Sequence, residues 1–147
     1  MGDGVSAAGR RKARRFAVQA LYQWQMAGTD IAEIEAWFRS DNDLRKTDTA
    51  YFHDLLVGVT GRVQEIDANL APVLDRAVDS LGQVEKAVLR IGTFELMARV
   101  DVPRNVVINE GIELVRLFGA EESFRYVNGV LDKLAAQLRV WETGSGA

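Results

Sequence analysis

Apolar residues recur at spacings of three and four along nearly the whole chain, and this periodicity limits the fold most strongly. Residues at i, i+3, i+4 and i+7 share one face of an α-helix, whereas a half-buried strand alternates with a period of two. No segment alternates convincingly, and the only prolines are Pro72 and Pro103. The pattern therefore predicts an all-α protein of about seven helices with short connections.

The first predicted helix runs from about Arg10 to Ala27 and stops at Gly28, because glycine tolerates the conformation that ends a helix. Its apolar stripe comprises Ala13, Phe16, Ala17, Ala20, Leu21 and Trp24. Six more helices are predicted: a short one after Thr29 or Asp30, and others over about 48–63, 66–81 (broken or started near Pro72), 83–99, 103–118 and 121–141. The helix over 83–99 is apolar on two sides, which predicts a central position.

Composition limits the class of protein. A chain of 147 residues with 48% hydrophobic content suits one domain. We expect a flexible leader over residues 1–9, a single helical domain over 10–140 and a flexible tail over 141–147. The chain has no cysteine and a single histidine, His53, so it predicts no disulfide, metal site or cofactor. Without a long apolar run or a signal sequence, the chain is expected in the cytoplasm.

The positive charge is concentrated near the start of the chain. Five of the six residues from 10 to 15, here called the basic segment, are cationic: Arg10, Arg11, Lys12, Arg14 and Arg15. The chain carries a net charge of −3, so residues 16–147 together carry −7. A local basic cluster on an acidic body indicates a small polyanion-binding surface, although a solubilising, frayed terminus is an equal alternative.

The helical wheel groups part of the basic segment with an aromatic residue. Arg11, Arg15, Val18 and Tyr22 lie within about 60° of one another, opposite the apolar stripe, with Arg14 beside them. Guanidinium groups bind phosphate oxygens, and an aromatic ring can stack on an unpaired base. The combination favours single-stranded RNA; the alternative is that Tyr22 is buried against another helix or a protein partner.

Three polar residues lie at or beside apolar stripes. Glu95 lines up with the apolar side of its helix, so its carboxylate is predicted to bind a backbone N–H or an arginine. Asn109 and Asn128 lie at stripe edges, where an amide could connect helices, and Asn128 could instead face RNA. No nucleophile, metalloprotease or P-loop motif is present, which predicts that the protein is not an enzyme.

Five motifs in one order carry a family resemblance. They are RRKARRFAVQALYQWQ, YFHDLLVGV, LGQVEKAVLRIGTFEL, DVPRNVVINEGIELVRLFGAEES and YVNGVLDKLAAQLR. Over about residues 10–139, the chain resembles the NusB family of bacterial transcription antitermination factors. The resemblance implies seven helices in two packed three-helix subdomains. It also implies pairing with the ribosomal protein NusE, and binding of boxA RNA within a complex of RNA polymerase and other Nus factors. That complex suppresses Rho-dependent termination, notably in rRNA operons.

The resemblance also implies roles for individual residues. It places Arg10, Arg11, Arg14 and, less surely, Lys12 on the RNA. Arg15 departs from the family pattern, in which an acidic residue is frequent, and would add a nonspecific phosphate contact or weaken a salt bridge.

Two further surfaces follow from the same resemblance. Tyr22 and Glu85 match the surface that faces NusE, and Tyr22 is near enough to the basic segment to serve RNA as well. Tyr126, Asn128 and Lys133 match the part of the last helix that flanks RNA, with Tyr126 in place of a frequent phenylalanine.

Two alternatives remain open at this point. One is a helical adaptor that binds only proteins. The other is a stand-alone relative of the RNA-binding domain of rRNA cytosine methyltransferases, although the chain leaves no room for the α/β catalytic domain. The sequence does not distinguish a monomer from a homodimer, and a homodimer could cover the RNA-binding face.

Overall fold

Helices make up the regular structure throughout the described chain. The computed structural model describes residues 6–119 and 121–142, and these ranges contain seven α-helices and no β-strand. The prediction of an all-α fold with about seven helices is confirmed. The chain divides into two compact units, one up to Gly61 and one from Arg62 onwards.

The first unit contains three helices. They are α1 (Ala7–Ala27), α2 (Ile31–Asp41) and α3 (Thr49–Gly61). α1 packs against both α2 and α3. The rings of Phe16, Phe38 and Phe52, one from each helix, lie 6.2 Å apart in pairs, two of them edge to face. Such ring pairs add specific geometry to the burial of apolar surface.

Both ends of α1 have a local cause. The Ser6 hydroxyl accepts a hydrogen bond from the Gly9 N–H at 2.9 Å, which caps the first turn. Gly28 adopts a left-handed conformation with φ of 70°, which confirms the predicted stop. The helix therefore begins at Ala7, three residues before the predicted start, and residues 7–9 belong to it rather than to a leader. Residues 1–5 and 143–147 lie outside the described residues.

The second unit contains the other four helices. They are α4 (Val63–Leu70), α5 (Gln83–Ala98), α6 (Arg104–Leu117) and α7 (Phe124–Leu138). The predicted helix over 66–81 is instead α4 followed by two 3₁₀ turns, Ala71–Val73 and Val78–Ser80. Pro72 accounts for this difference, because proline lacks an N–H and disfavours helix in the residue before it. A third 3₁₀ turn, Glu121–Ser123, leads into α7.

α5 lies at the centre of the second unit, as its two apolar sides predict. It packs against α4, α6 and α7, and every residue from Lys86 to Leu96 is buried. Gly92 of α5 and Gly111 of α6 both face Leu131 of α7, whose methyl carbons would lie 2.7 Å from a Cβ added at either glycine. The two glycines thus allow α7 to approach both helices closely.

A buried arginine links the end of α7 to the end of α5. Arg139 has no exposed surface, and its guanidinium donates hydrogen bonds of 2.9–3.0 Å to four backbone carbonyls. These carbonyls belong to Glu95, Leu96, Arg99 and Val102. The last carbonyls of a helix have no partner within the helix, so Arg139 supplies donors to the C-terminal end of α5.

Candidate nucleic-acid interface

The basic segment occupies the opening turns of α1, but its five cations have different environments. The side chains of Arg11 and Arg15 are exposed, and Lys12 is half-buried. Arg10 is half-buried as well, whereas Arg14 is only 3% exposed. Two of the predicted phosphate-binding arginines are therefore largely withdrawn from solvent.

Tyr51 of α3 accounts for the position of both withdrawn arginines. Its ring is 2% exposed, and the guanidinium carbons of Arg10 and Arg14 lie 4.4 and 5.3 Å from the ring centroid. A cation over an aromatic face is attracted by the ring quadrupole, and more strongly when water is excluded. The Nε of Arg10 also lies 3.8 Å from a carboxylate oxygen of Asp48.

Asp48 joins the beginnings of α1 and α3. Its carboxylate accepts a hydrogen bond from the Tyr51 N–H at 2.9 Å, which caps α3. Its own N–H donates to the carbonyl of Gly9 in α1 at 3.1 Å. The opening turn of α1 is thus attached to the opening turn of α3 through the backbone as well as through side chains.

The predicted exposed face of α1 requires correction at two positions. Val18 is 1% exposed, and Arg14 is buried, although the wheel placed both opposite or beside the outward face. The buried positions of α1 cover about half of the circumference at 100° per residue rather than a narrow stripe. A wheel built on the apolar residues of one stripe underestimates this arc, because Arg14 is buried through its contact with a ring and not through its own hydrophobicity.

Tyr22 is exposed, as predicted, with 41% of its surface accessible. It shares the outward face of α1 with Arg11 and Arg15. Arg11 and Arg15 are about 6 Å apart along the helix axis, and Tyr22 lies about 10 Å beyond Arg15. This face therefore offers two guanidinium groups and one ring in a line that a polyanion with flat bases can follow.

The α7 residues predicted to flank RNA have mixed environments. Asn128 and Lys133 are exposed, whereas Tyr126 is half-buried. The Tyr126 hydroxyl donates to Asp75 at 3.0 Å, and the Arg76 guanidinium carbon lies 4.4 Å from the centre of its ring. Tyr126 and Lys133 line a groove of about 310 Å³, which Asp75 also lines and in which Asn128 takes no part.

Charge and burial shift the ionisation of this group. Burial raises the pKa of Tyr126, and its hydrogen bond to Asp75 adds to the rise. The Arg76 guanidinium beside Asp75 lowers the pKa of that carboxyl, with a further contribution from Tyr126. The ring face of Tyr126 and its hydroxyl are thus both engaged within the second unit.

Glu85, the second residue predicted to face NusE, has contacts within its own unit. One carboxylate oxygen accepts a hydrogen bond from the Gly82 N–H at 3.1 Å, at the start of α5. The other oxygen accepts a short hydrogen bond from the Ser123 hydroxyl, in the 3₁₀ turn before α7. The carboxylate therefore fixes the start of α5 and connects it to that turn.

The two polar residues predicted to be structural differ in outcome. Glu95 is 1% exposed, which confirms its burial, and its backbone carbonyl accepts a hydrogen bond from Arg139. Asn109 is exposed, so the prediction that it connects helices at a stripe edge is wrong. The buried positions of α6 lie on either side of it, at Ile108 and Glu110. The helix therefore turns Asn109 outward.

Sequence reasoning missed the residues that organise these surfaces, namely Asp48, Tyr51, Asp75, Arg76 and Arg139. Asp48 carried a usable signal, because an aspartate three residues before Tyr51 is a typical helix cap. The others had none, since their contacts join residues far apart in the sequence. Within the described residues, no group of histidines and acids could hold a metal ion, and no helix is long and apolar enough to cross a membrane.

Comparison with known proteins agrees over most of the chain. The NusB family model matches residues 11–136. The transcription antitermination protein NusB of Alcanivorax borkumensis is 61% identical over 142 residues, which are 97% of this chain and 95% of that protein. The protein of the same name from Edwardsiella ictaluri is 54% identical over 132 residues, covering 90% and 95%.

Solved structures agree with the sequence relatives. A chain in the crystal structure of the antitermination factors NusB and NusE in complex with dsRNA matches with a TM-score of 0.78 and 26% identity, covering 90% of this chain and 99% of that chain. NusB of T. maritima matches with a TM-score of 0.74 and 29% identity, covering 86% and 90%.

Proposed function

This chain belongs to the NusB family, and from that membership we propose that it is a transcription antitermination factor that binds boxA RNA of nascent transcripts together with NusE. It acts within a complex of RNA polymerase and other Nus factors that suppresses Rho-dependent termination, notably in rRNA operons. Its action is binding without catalysis or a cofactor, in the cytoplasm. The relatives' shared name and the NusB–NusE–dsRNA structure support this proposal.

One observation carries the RNA-binding part of the proposal: Arg11, Arg15 and Tyr22 lie exposed on one face of α1. The guanidinium groups bind phosphates and the ring stacks on a base, as single-stranded RNA requires. Lys12, which is half-buried, adds charge at the edge of this face. Tyr126, Asn128 and Lys133 of the second unit provide a further contact surface for the same RNA.

The partner part of the proposal depends on charge. Residues 16–147 carry a net charge of −7, which complements a basic ribosomal protein. Tyr22 is the exposed residue that NusE could contact, in addition to or instead of RNA. We assign Glu85 to this surface as well, with its carboxylate already oriented by Gly82 and Ser123.

Fluorescence anisotropy with boxA RNA and a scrambled RNA, each with and without NusE, tests the function. We expect weak binding by the chain alone and tighter, boxA-specific binding with NusE, because a few cations on an acidic body make a modest contact. Equal affinity for the two RNAs in the presence of NusE would contradict the proposal and favour an adaptor that binds only proteins.

Charge reversal on α1 tests the interface. Arg11→Glu should weaken boxA binding and reduce the slope of log affinity against log salt by about one unit for the lost phosphate contact. Arg62→Glu is the matched control. It changes the net charge equally, but it replaces an arginine outside the basic segment that pairs with Glu65 at 2.9 Å. Equal losses in the two variants would mean that only net charge matters.

Tyr22 distinguishes the two ligands. If its ring stacks on RNA, Tyr22→Ala weakens boxA binding about tenfold, since stacking is worth about 1–3 kcal/mol per base. Tyr22→Phe, which keeps the ring, should retain affinity. Titration of NusE in the absence of RNA shows whether the same change also weakens the protein contact.

A further inference from the structure

We propose that Asp48 and Tyr51 form a positioning platform for the basic segment. On this platform Arg10 and Arg14 act as positioning residues, and Arg11 and Arg15 act as the phosphate ligands. The inference rests on the proposed RNA-binding function and divides the arginines of the segment into two classes. That division does not follow from the sequence, in which all of them look equivalent.

Burial and contact geometry carry the division. Arg10 and Arg14 are one helical turn apart, and both guanidinium groups lie within 5.3 Å of the Tyr51 ring centroid. Arg14 is 3% exposed and Tyr51 is 2% exposed. A guanidinium in that position cannot reach a phosphate without leaving the ring, whereas Arg11 and Arg15 are already exposed.

The platform also holds the backbone of α1. The Asp48 N–H donates to the Gly9 carbonyl at 3.1 Å, directly before the basic segment. A Cβ at Gly9 would lie 3.0 Å from the Ser6 hydroxyl and 3.4 Å from the Asp48 nitrogen, so glycine keeps this approach unstrained. The first turn of α1 is thus fixed by a cap, a backbone hydrogen bond and two side chains.

A platform is needed because the charge of the basic segment opposes the helix that carries it. The positive end of the helix dipole is at the N-terminus, where cations are unfavourable, and like charges four residues apart repel each other. Arg10, Arg11, Lys12, Arg14 and Arg15 all lie in the opening turns of α1. The carboxylate of Asp48 and the ring face of Tyr51 offset this repulsion for Arg10 and Arg14.

The consequence for RNA binding is preorganisation. If the opening turns of α1 unravelled in the free protein, RNA would have to order them on binding, and that cost would weaken affinity. With the turns fixed, Arg11 and Arg15 keep a spacing of about 6 Å along the axis. Loss of the platform therefore lowers affinity without changing the number of phosphates contacted.

The salt dependence of binding separates the two classes of arginine. Arg11→Gln and Arg15→Gln should each lower the salt slope by about one unit. Arg10→Gln and Arg14→Gln should lower affinity and leave the slope unchanged. A slope that falls by about one unit in Arg14→Gln would show that Arg14 leaves Tyr51 to bind a phosphate, and would overturn the division.

Substitutions in α3 test the ring itself. Tyr51→Leu should weaken boxA binding about tenfold, as expected for the loss of a desolvated cation–π contact, while Tyr51→Phe should restore affinity. Phe52→Leu is the matched control, since Phe52 is the adjacent, fully buried ring and contacts Phe16 instead of the arginines. Equal effects of Tyr51→Leu and Phe52→Leu on RNA affinity would reduce Tyr51 to an ordinary core residue and overturn the platform.

Asp48→Asn tests the carboxylate. Asparagine can still accept the Tyr51 N–H, so α3 keeps its cap, but the negative charge near Arg10 is lost. Amide hydrogen exchange in residues 10–17 should quicken in Asp48→Asn and Tyr51→Leu, and remain as in the wild type in Tyr51→Phe. Unchanged exchange in both of the first two variants would overturn the platform.

The exchange measurement needs no RNA. Failure of the wild-type protein to prefer boxA would therefore refute the proposed function, while exchange in residues 10–17 would still decide whether the platform exists.

Discussion

Each unit contains a tyrosine with an arginine over its ring, and the two arrangements differ in burial. In the first unit, Tyr51 is almost completely buried beneath Arg10 and Arg14. In the second unit, Tyr126 is half-buried, its partner Arg76 is exposed, and its hydroxyl donates to the exposed Asp75. The ring–cation distance is 4.4 Å for Arg10 and for Arg76.

The comparison teaches that distance alone does not assign a role to such a pair. Water screens the exposed pair, whereas the buried pair keeps more of its attraction and also fills space between helices. We therefore expect the Tyr51 pair to stabilise the fold and the Tyr126 pair to adjust a surface. The predictions below test this difference, from the largest expected effect to the smallest.

Arg139 is the extreme case, a fully buried guanidinium that is held by carbonyl oxygens. Arg139→Met should destabilise the protein by about 4 kcal/mol or more, since four carbonyls lose a donor and each costs about 1–3 kcal/mol. Urea unfolding followed by circular dichroism measures the loss. Arg116→Met, which removes an exposed arginine 4.7 Å from the Phe124 ring, should change stability by less than about 0.5 kcal/mol. Similar losses in the two variants would contradict the importance of burial.

The two tyrosines provide the direct comparison. Tyr51→Ala should cost about 3–5 kcal/mol, because it removes a fully buried ring and leaves a cavity between α1 and α3. Tyr126→Ala should cost about 1 kcal/mol, because part of its surface is already in water. The same urea titration measures both variants, and a larger loss at Tyr126 would reverse the assignment.

Periodicity and punctuation in the sequence predicted most of the helices. Apolar spacing located them, Gly28 marked the end of α1, and the two apolar sides of α5 indicated its central position. The segment after Leu70 was predicted less well, because Pro72 replaces a continuous helix by 3₁₀ turns. These successes share one cause, since each depends on residues within a few positions of one another.

The interface was predicted less completely, because its environment depends on distant residues. Arg14 contacts Tyr51, which follows it by 37 positions, and Arg139 binds carbonyls up to 44 positions away. Periodicity assigns a face to each residue but does not show what covers that face. Val18 illustrates the limit, because its place on the wheel is beside the exposed Tyr22, yet it is buried.

The cations of the two pairs should differ in the same direction as their rings. Arg14→Gln should cost about 1–2 kcal/mol, the value of a desolvated cation–π contact. Arg76→Gln should leave the urea midpoint unchanged, since Arg76 is exposed. A shift in the midpoint for Arg76→Gln as large as that for Arg14→Gln would show that exposure does not weaken the contact.

The smallest expected effect concerns ionisation at the exposed pair. The pKa of Tyr126 is raised by burial and by its hydrogen bond to Asp75, so the neutral phenol is favoured in the folded state. Any stability from this shift is present below the ordinary tyrosine pKa and is lost as pH rises through the raised value. Asp75→Asn should lower the pKa of Tyr126 toward its ordinary value, although not fully, because burial remains. Tyrosinate absorbance during an alkaline titration measures the change, with Tyr126→Phe identifying its contribution. A Tyr126 titration that Asp75→Asn leaves unaltered would show that the hydroxyl does not depend on Asp75, and the exposed pair would then consist of the ring and Arg76 alone.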